Sequence, residues 1–344
     1  MALGKLRVSL GRLRRAAVVL AASVLLIAIA GSIYQAVATA RERRLFPLLG
    51  RLVDAGGYRL HVYCMGADSP TVVFESGFGM SSNAWALVQP AVARLTRACS
   101  YDRPGYGWSD EAPDPRTGTH AVEDLYRMLA NAGIPGPYVL VGHSMGAGQV
   151  RLFASRYPKD VAGLVIVASG NEDWRTRNPS AGSEDEEMDR LIQVIAALSP
   201  TGLPRIIGVL FRPSMAADYA ADLRKYLPRR AAESEITFLA QSKHARAMAD
   251  EIRATRATEA ELRKARNFGD IPLIVLSEKW VLPANPERRD IEASRIEDEL
   301  QAEMSRFSRR GTHVRVESGH LIPLEKPEVI VDAVRTILLL TKHK

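Results

Sequence analysis

The chain has little cysteine, no internal repeats and, over most of its length, no net charge. Two cysteines in 344 residues, Cys64 and Cys99, are too few for a fold stapled by several disulfides. Neither belongs to a Cys/His cluster with metal-ligand spacing, so no zinc or other metal site is expected. No repeat and no low-complexity tract recurs, which leaves out repeat architectures. The charge is confined to one place. The formal net charge of +7 belongs to residues 1–44, which hold eight of the 46 Lys and Arg and one of the 39 Asp and Glu. The other 300 residues are balanced, with 38 of each sign. Nothing in that balance argues for a nucleic-acid partner.

Close to its start the chain carries one long apolar run. From Ala16 to about Ala38 only Ser23, Ser32, Tyr34 and Gln35 interrupt it, and five basic residues precede it. A helix needs roughly 20 apolar residues to cross a hydrocarbon core. Basic residues ahead of such a helix stay in the cytoplasm, which puts the bulk of the chain outside. Residues 1–44 are therefore expected to be a basic segment and a single-pass membrane anchor. The competing reading is a signal peptide cut after Ala38-Thr39-Ala40, which would leave a secreted or periplasmic protein. The run exceeds the about 7 to 15 residues usual for a signal sequence, so the uncleaved anchor is preferred.

The remaining residues alternate between strand-like and helix-like segments. Arg51 to Ala55 and Tyr58 to Cys64 flank Gly56-Gly57 as a hairpin. Further strands are expected at Thr71 to Glu75, Ala98 to Asp102, Tyr138 to Val141, Leu164 to Val167, Pro272 to Leu276 and His313 to Val316. Helices are expected at Trp85 to Leu95, His120 to Ala130, Ala147 to Tyr157, Glu292 to Phe307 and Glu328 to Leu340. Such alternation implies an α/β fold, with a mostly parallel sheet covered on both faces. Residues 45–171 and 268–344 form that core. Residues 172–267 are charged, helical and strand-free, broken by Pro204, Pro213 and Pro228, and too long for an ordinary connection. Ligands bind at the carboxyl ends of the strands in open α/β sheets, and an insertion placed there reads as a helical cap.

Gly142-His143-Ser144-Met145-Gly146 follows the strand Tyr138 to Val141 and precedes a helix. A strand, a Gly-x-Ser-x-Gly turn and a helix make a nucleophile elbow, a tight turn that presents the serine at the strand tip. Glycine suits Gly142 and Gly146 because neighbouring backbone passes close by. Ser144 needs a base, and His320 follows the last strand, where loops converge on the same face. An imidazole can take the serine proton and return it to a leaving group. The other histidines fit worse: His61 lies in an early strand, His120 and His244 in helices, His313 at the far end of a strand and His343 in the tail, while His143 points off the elbow. A tetrahedral intermediate needs two N–H donors. Met145, directly after the nucleophile, supplies one. Phe78, in the glycine-flanked loop Ser76-Gly77-Phe78-Gly79, is the candidate for the other.

These motifs, together with Tyr101-Asp102-Arg103-Pro104-Gly105-Tyr106-Gly107-Trp108-Ser109, resemble the α/β-hydrolase superfamily from about Arg51 to the C-terminus. Within it the chain is similar to membrane-anchored or exported hydrolases with a helical cap. The resemblance implies a serine hydrolase of the carboxylesterase or lipase kind, acting through an acyl-enzyme at Ser144 on a small-molecule acyl substrate, with no cofactor. A serine at the elbow argues against the dehalogenase and epoxide-hydrolase branches, which use an Asp there. The acid is where the chain departs from the family. The usual Gly-x-x-Asp after the Pro272 to Leu276 strand is replaced by Ser277-Glu278-Lys279-Trp280-Val281-Leu282. The alternative family position, at the end of the preceding core strand, is Ala168. The candidates are Glu278, whose longer side chain offsets its early position, and Glu172 or Asp173. If none serves, the chain is a non-catalytic binding protein of the same fold. The family's strand order would also set the Cys64 strand beside the Cys99 strand. The two thiols are then either a disulfide or two small buried residues.

Overall fold

A computed structural model describes residues 2–341 apart from 114, 179–181, 212–213 and 280–285; Pro213 and His343 fall outside the described residues. The strands are β1 (Arg51–Asp54), β2 (Arg59–Met65), β3 (Thr71–Glu75), β4 (Ala98–Tyr101), β5 (Tyr138–His143), β6 (Val161–Val167), β7 (Leu273–Glu278) and β8 (Gly311–Val316). They form one sheet in the order β1-β2-β4-β3-β5-β6-β7-β8. β2 pairs antiparallel with β1 and with β4, and every other pairing is parallel.

Successive side chains of a strand point to opposite faces, and the central strands are apolar at nearly every position, so each face of the sheet carries a core. Val73, Leu140, Leu164 and Val275 pack with α3 (Gly118–Asn131) and α4 (Met145–Arg156) through Leu125, Met128 and Phe153. Val72, Val139, Val165 and Ile274 pack on the other side with Trp85 and with α13 (Pro327–Thr341) through Ile330, Val334 and Ile337. α11 (Arg288–Ser305) joins the first face through Met304.

The single helix expected over Trp85 to Leu95 is instead two short pieces, a 3₁₀ turn over Ser82–Trp85 and α2 over Gln89–Val92. Pro90 is the reason: it has no N–H to donate and it restricts the residue before it, so a helix restarts at this position but does not run through it. Several strands also extend past their expected ends, among them three central ones. β5 reaches His143, β6 begins at Val161, and β7 continues to Glu278. The last of these extensions decides where Glu278 sits.

Between β6 and β7 the chain makes six helices and no strand among the described residues: α5 (Trp174–Arg177), α6 (Gly182–Leu198), α7 (Leu203–Phe211), α8 (Ser214–Tyr226), α9 (Arg229–Leu239) and α10 (Ser242–Leu262). Glu235 of α9 accepts from Ser81 N at 2.9 Å, and Lys243 of α10 donates to Gly107 O at 2.6 Å, so the insertion is joined to loops at the carboxyl ends of β3 and β4. The N-terminal run is a continuous helix, α1 (Ala2–Leu45), with mean hydropathy 2.6 in its apolar window.

Cys64 and Cys99 face each other directly across the β2–β4 pair, with Cα atoms 4.0 Å apart, and form a disulfide. The bridge closes a loop of 35 residues, for which chain-entropy reasoning gives about 2 to 4 kcal/mol of stabilisation. Reduction, or a paired Cys64→Ser and Cys99→Ser substitution, is expected to lower the thermal midpoint by several degrees while leaving the far-ultraviolet dichroism below the transition unchanged. Non-reduced peptide mapping should recover the linked pair; two free thiols in the native protein would refute the bridge.

Candidate active site

Ser144 lies between β5 and α4 with φ 54° and ψ −121°, a left-handed backbone rare for a residue with a side chain. Two glycines make room for this turn. A Cβ at Gly142 would sit 2.6 Å from Ala147 Cα, and one at Gly146 would sit 2.5 Å from Ser76 O. The strain holds the Ser144 hydroxyl beyond the strand end, where α4 begins.

His320 stands in the loop between β8 and α12 (Ile322–Glu325). Its Nε2 is 3.0 Å from Ser144 Oγ and its Nδ1 is 2.9 Å from Glu278 Oε1. An ionised carboxylate only accepts, so Nδ1 carries the proton and Nε2 is left as the acceptor for the serine hydroxyl. The contact follows from the sheet. Glu278 is the last residue of β7 and sits opposite Val316, the last of β8. Four residues later the chain curls back with His320 over the carboxylate. The loop is braced from below: Gly319 N donates to Glu325 Oε2 at 2.8 Å and Ser318 Oγ donates to the same oxygen at 3.0 Å.

Burial pushes the Glu278 carboxyl up, but the hydrogen bond and charge of His320, a backbone N–H and His143 outweigh it, and the group ends below the ordinary glutamate range. Glu278 therefore stays ionised beside an imidazole whose side chain is 51 % exposed, so the Ser144–His320 edge is reachable from solvent.

The other acid candidates are placed elsewhere. Glu172, with its side chain fully buried, bonds Arg151 Nη1 and Nη2 at 2.8 and 2.9 Å and Arg266 Nε at 2.8 Å. Asp173 pairs with Arg263 and Arg266. Both carboxylates are spent on arginines beneath the insertion, so neither is the partner of His320. Ala168, the alternative family position, is a buried alanine with φ 46°. Asp102 is also remote: itself buried, it accepts from the backbone N–H of Ser82 at 2.6 Å and of Trp108 at 2.9 Å and from His61.

Met145 opens α4. The loop carrying Phe78 runs beside Ser144, since a Cβ at Gly77 would lie 3.2 Å from Ser144 Cβ. Arg103, 2 % exposed, donates to Ser76 O at 2.5 Å and to Gly77 O at 2.9 Å, and pairs with Glu75 and with Glu251 of α10. Gly77 C=O and Phe78 N–H share one planar trans peptide. Holding the carbonyl toward Arg103 turns the N–H the opposite way. Arg103 belongs to the Tyr101 to Ser109 motif, and its role as a clamp on this loop leaves no local signal in the sequence.

His143, which the sequence places off the elbow, has a positioning role here. The ring is fully buried, which pushes its pKa down to about 4, and it lies against His320 with ring centroids 5.1 Å apart. Its Nε2–H donates to the His320 carbonyl at 2.9 Å, so a neutral imidazole pins the backbone of the second. Its side-chain direction was legible only as a residue turned away from the nucleophile. The remaining described histidines are away from Ser144: His61 with Asp102, His120 with Thr117, His244 with Gly79 O, and His313 with Ser277.

Comparison with known proteins places the fold. The family model described as alpha/beta hydrolase fold matches residues 70–327. Among curated proteins, an uncharacterised Bacillus subtilis protein, YbdG, is 29 % identical over 153 residues, 44 % of this chain and 47 % of that protein. The chain spans about half or less of the length of the first curated relatives it matches. Among solved structures, a Pseudomonas aeruginosa protein assigned to the epoxide hydrolases superposes with a TM-score of 0.66 at 17 % identity, over 85 % of this chain and 96 % of that one. A thermophilic esterase from Thermogutta terrifontis gives 0.61 at 18 %, over 86 % and 99 %. At such identities the likeness is one of fold.

The Glu172 cluster makes a prediction of its own. Burial raises this carboxyl, but the arginine hydrogen bonds and charges win and bring it down to about 2 from an ordinary 4.5. A depressed carboxyl contributes stability that is fully present above the unfolded value and lost as the pH falls through the folded one. Glu172→Gln, which leaves Arg151 buried without its counter-charge, is expected to cost about 3 to 5 kcal/mol at pH 7. The loss should shrink between pH 4.5 and 2. Denaturant titrations at several pH values check this, and a pH-independent difference would refute it.

Proposed function

The chain belongs to the α/β-hydrolase-fold family, and on that premise we propose that it is a serine hydrolase acting on an ester-like carbonyl. The observation that carries this reading is His320, which bridges Ser144 Oγ and Glu278 through its two ring nitrogens. In this reading Ser144 Oγ attacks the carbonyl carbon and its proton passes to His320 Nε2. The N–H groups of Phe78 and Met145 receive the negative charge that develops on the carbonyl oxygen. Collapse breaks the bond to the alcohol, which leaves with the proton from Nε2, and the acyl group remains on Ser144. Water repeats the sequence on the acyl-enzyme, giving its proton to Nε2 and releasing the carboxylic acid and the serine. Glu278 keeps the imidazole in the tautomer that accepts at Nε2 and stabilises its charged form. The substrate is a small acyl compound, and the helices of residues 172–267 form a cap over the strand ends.

The same reading makes α1 a membrane anchor that leaves the hydrolase domain outside the cytoplasm. Support comes from the five basic residues ahead of Ala16, by the positive-inside rule, and from the Cys64–Cys99 bridge, which suits an oxidising compartment.

A fluorophosphonate probe tests the proposal, because it reacts only with an activated serine. Wild type is expected to label and Ser144→Ala to lose both labelling and ester turnover. Glu278→Gln should lower turnover by about 10⁴, as loss of the orienting acid does in such triads, while Asp173→Asn stays near wild type. A folded wild-type protein that neither labels nor turns over any of a graded series of acyl esters is instead a binding protein of this fold.

A further inference from the structure

Two positions in the apolar run of α1 are out of character: a glycine, Gly31, and a glutamine, Gln35. Both are buried, and both face the insertion. A Cβ at Gly31 would lie 2.0 Å from Thr201 O, and one at Gly202 would lie 2.6 Å from Gly31 O, so the two backbones touch. Gln35 donates to Ala240 O at 2.9 Å and accepts from Arg205 Nε at 2.8 Å. Arg205 also pairs with Glu42, two turns further along α1. The short turn between α6 and α7 is thereby clamped to α1 at Gly31, seven residues before Ala38. Seven residues of helix rise about 10 Å.

That turn joins two helices with apolar stripes aimed outward. Leu191, Val194, Ile195 and Leu198 of α6 follow the spacing of one helix face, as do Leu203, Ile206 and Ile207 of α7, and all seven are between 36 and 54 % exposed. The opposite side of α6 is already used, with Ile192 and Ala196 packed on Ala245 and Ala249 of α10. Arg205 points inward to α1, which divides α7 the same way. Contiguous apolar faces of this kind mark interaction sites. α1 itself also carries exposed apolar side chains, with Leu26, Ile27 and Ile33 60 to 71 % exposed.

We propose that the outward faces of α6 and α7 are seated in the bilayer leaflet through which α1 emerges, making the insertion a second, monotopic membrane contact. The inference rests on α1 as a membrane anchor. The clamp at Gly31 carries the α6–α7 turn about 10 Å inside the end of the apolar run. Interfacial helices bury their apolar faces about 5 to 10 Å into the headgroup boundary, so the depth set by the clamp and the depth such stripes need agree. Arg41, Arg43 and Arg44 follow the run at headgroup level.

The test uses the full chain in vesicles of phosphatidylcholine and phosphatidylglycerol. With the native cysteines joined, one added cysteine takes a thiol-specific fluorophore, and lipids brominated along the acyl chain quench it by contact. Leu26→Cys reports the anchor, Val194→Cys and Ile207→Cys report the insertion, and Lys159→Cys, in the exposed turn before β6 at the amino end of the strands, is the aqueous control. Quenching at Leu26, Val194 and Ile207 but not Lys159 is expected. Quenching at Leu26 with none at Val194 and Ile207 would overturn the inference and leave the anchor standing. No quenching at Leu26 would remove the anchor and the inference together. Unmodified protein gives an independent check with photoactivatable phosphatidylcholine: crosslinked peptides should include residues 188–207, and adducts confined to α1 would refute the proposal.

Discussion

The hydrogen bond between His320 Nδ1 and the Glu278 carboxylate is the contact around which the candidate site is arranged. It sets which ring nitrogen carries the proton and therefore which one meets Ser144. It exists because β7 runs to its sixth residue in register with β8, so that the carboxylate and the histidine loop leave adjacent strand ends. A strand one residue shorter would turn the position-278 side chain out of the pairing and away from the loop. The proposed acid is thus a glutamate that ends its strand, one hydrogen bond from the histidine ring.

Around this contact the protein buries several charges, each held by partners. Arg103 is enclosed yet bonded to two carboxylates and two backbone carbonyls, and Arg151 is matched by Glu172. Buried pairs add little net stability over apolar packing, but breaking one is costly. Their consequence here is geometric. Arg103 links α10 of the insertion to the loop of Phe78 through Glu251, and Glu235 of α9 holds Ser81 of the same region. Burial drives Glu235 up to about 7 against the hydrogen bonds of Ser81. The insertion and the proposed oxyanion loop are thus braced by one polar layer, so a shift in the helices would be felt at the site.

The same insertion has its other side on α1. Gly31 and Gln35 have no reason to occur in a helix that meets only lipid; each is explained by a backbone or side chain of the insertion against it. The domain is therefore oriented by contacts along α1 and does not hang on a free tether. A seated insertion would hold its apolar stripes in lipid and keep the carboxyl ends of the strands close to the membrane surface.

Local sequence determined much of this protein. The elbow around Ser144 was legible because a strand, a glycine-flanked turn and a helix are all encoded within twenty residues. The parallel sheet was legible from alternation, and α1 from an unbroken apolar run. His320 could be read because loops after parallel strands converge. The helix through Pro90 was misread, since periodicity alone does not register a missing N–H. Only the tertiary structure decided among Glu278, Glu172 and Asp173. All three satisfy the order serine, acid, histidine, and the choice depends on strand register and on which arginines lie nearby. Arg103 and His143 were hidden for a related reason: each acts by holding a backbone carbonyl far away in sequence, and a carbonyl is present at every residue. Local patterns record what a segment does with its own neighbours, whereas a partner chosen across the fold leaves no periodic trace.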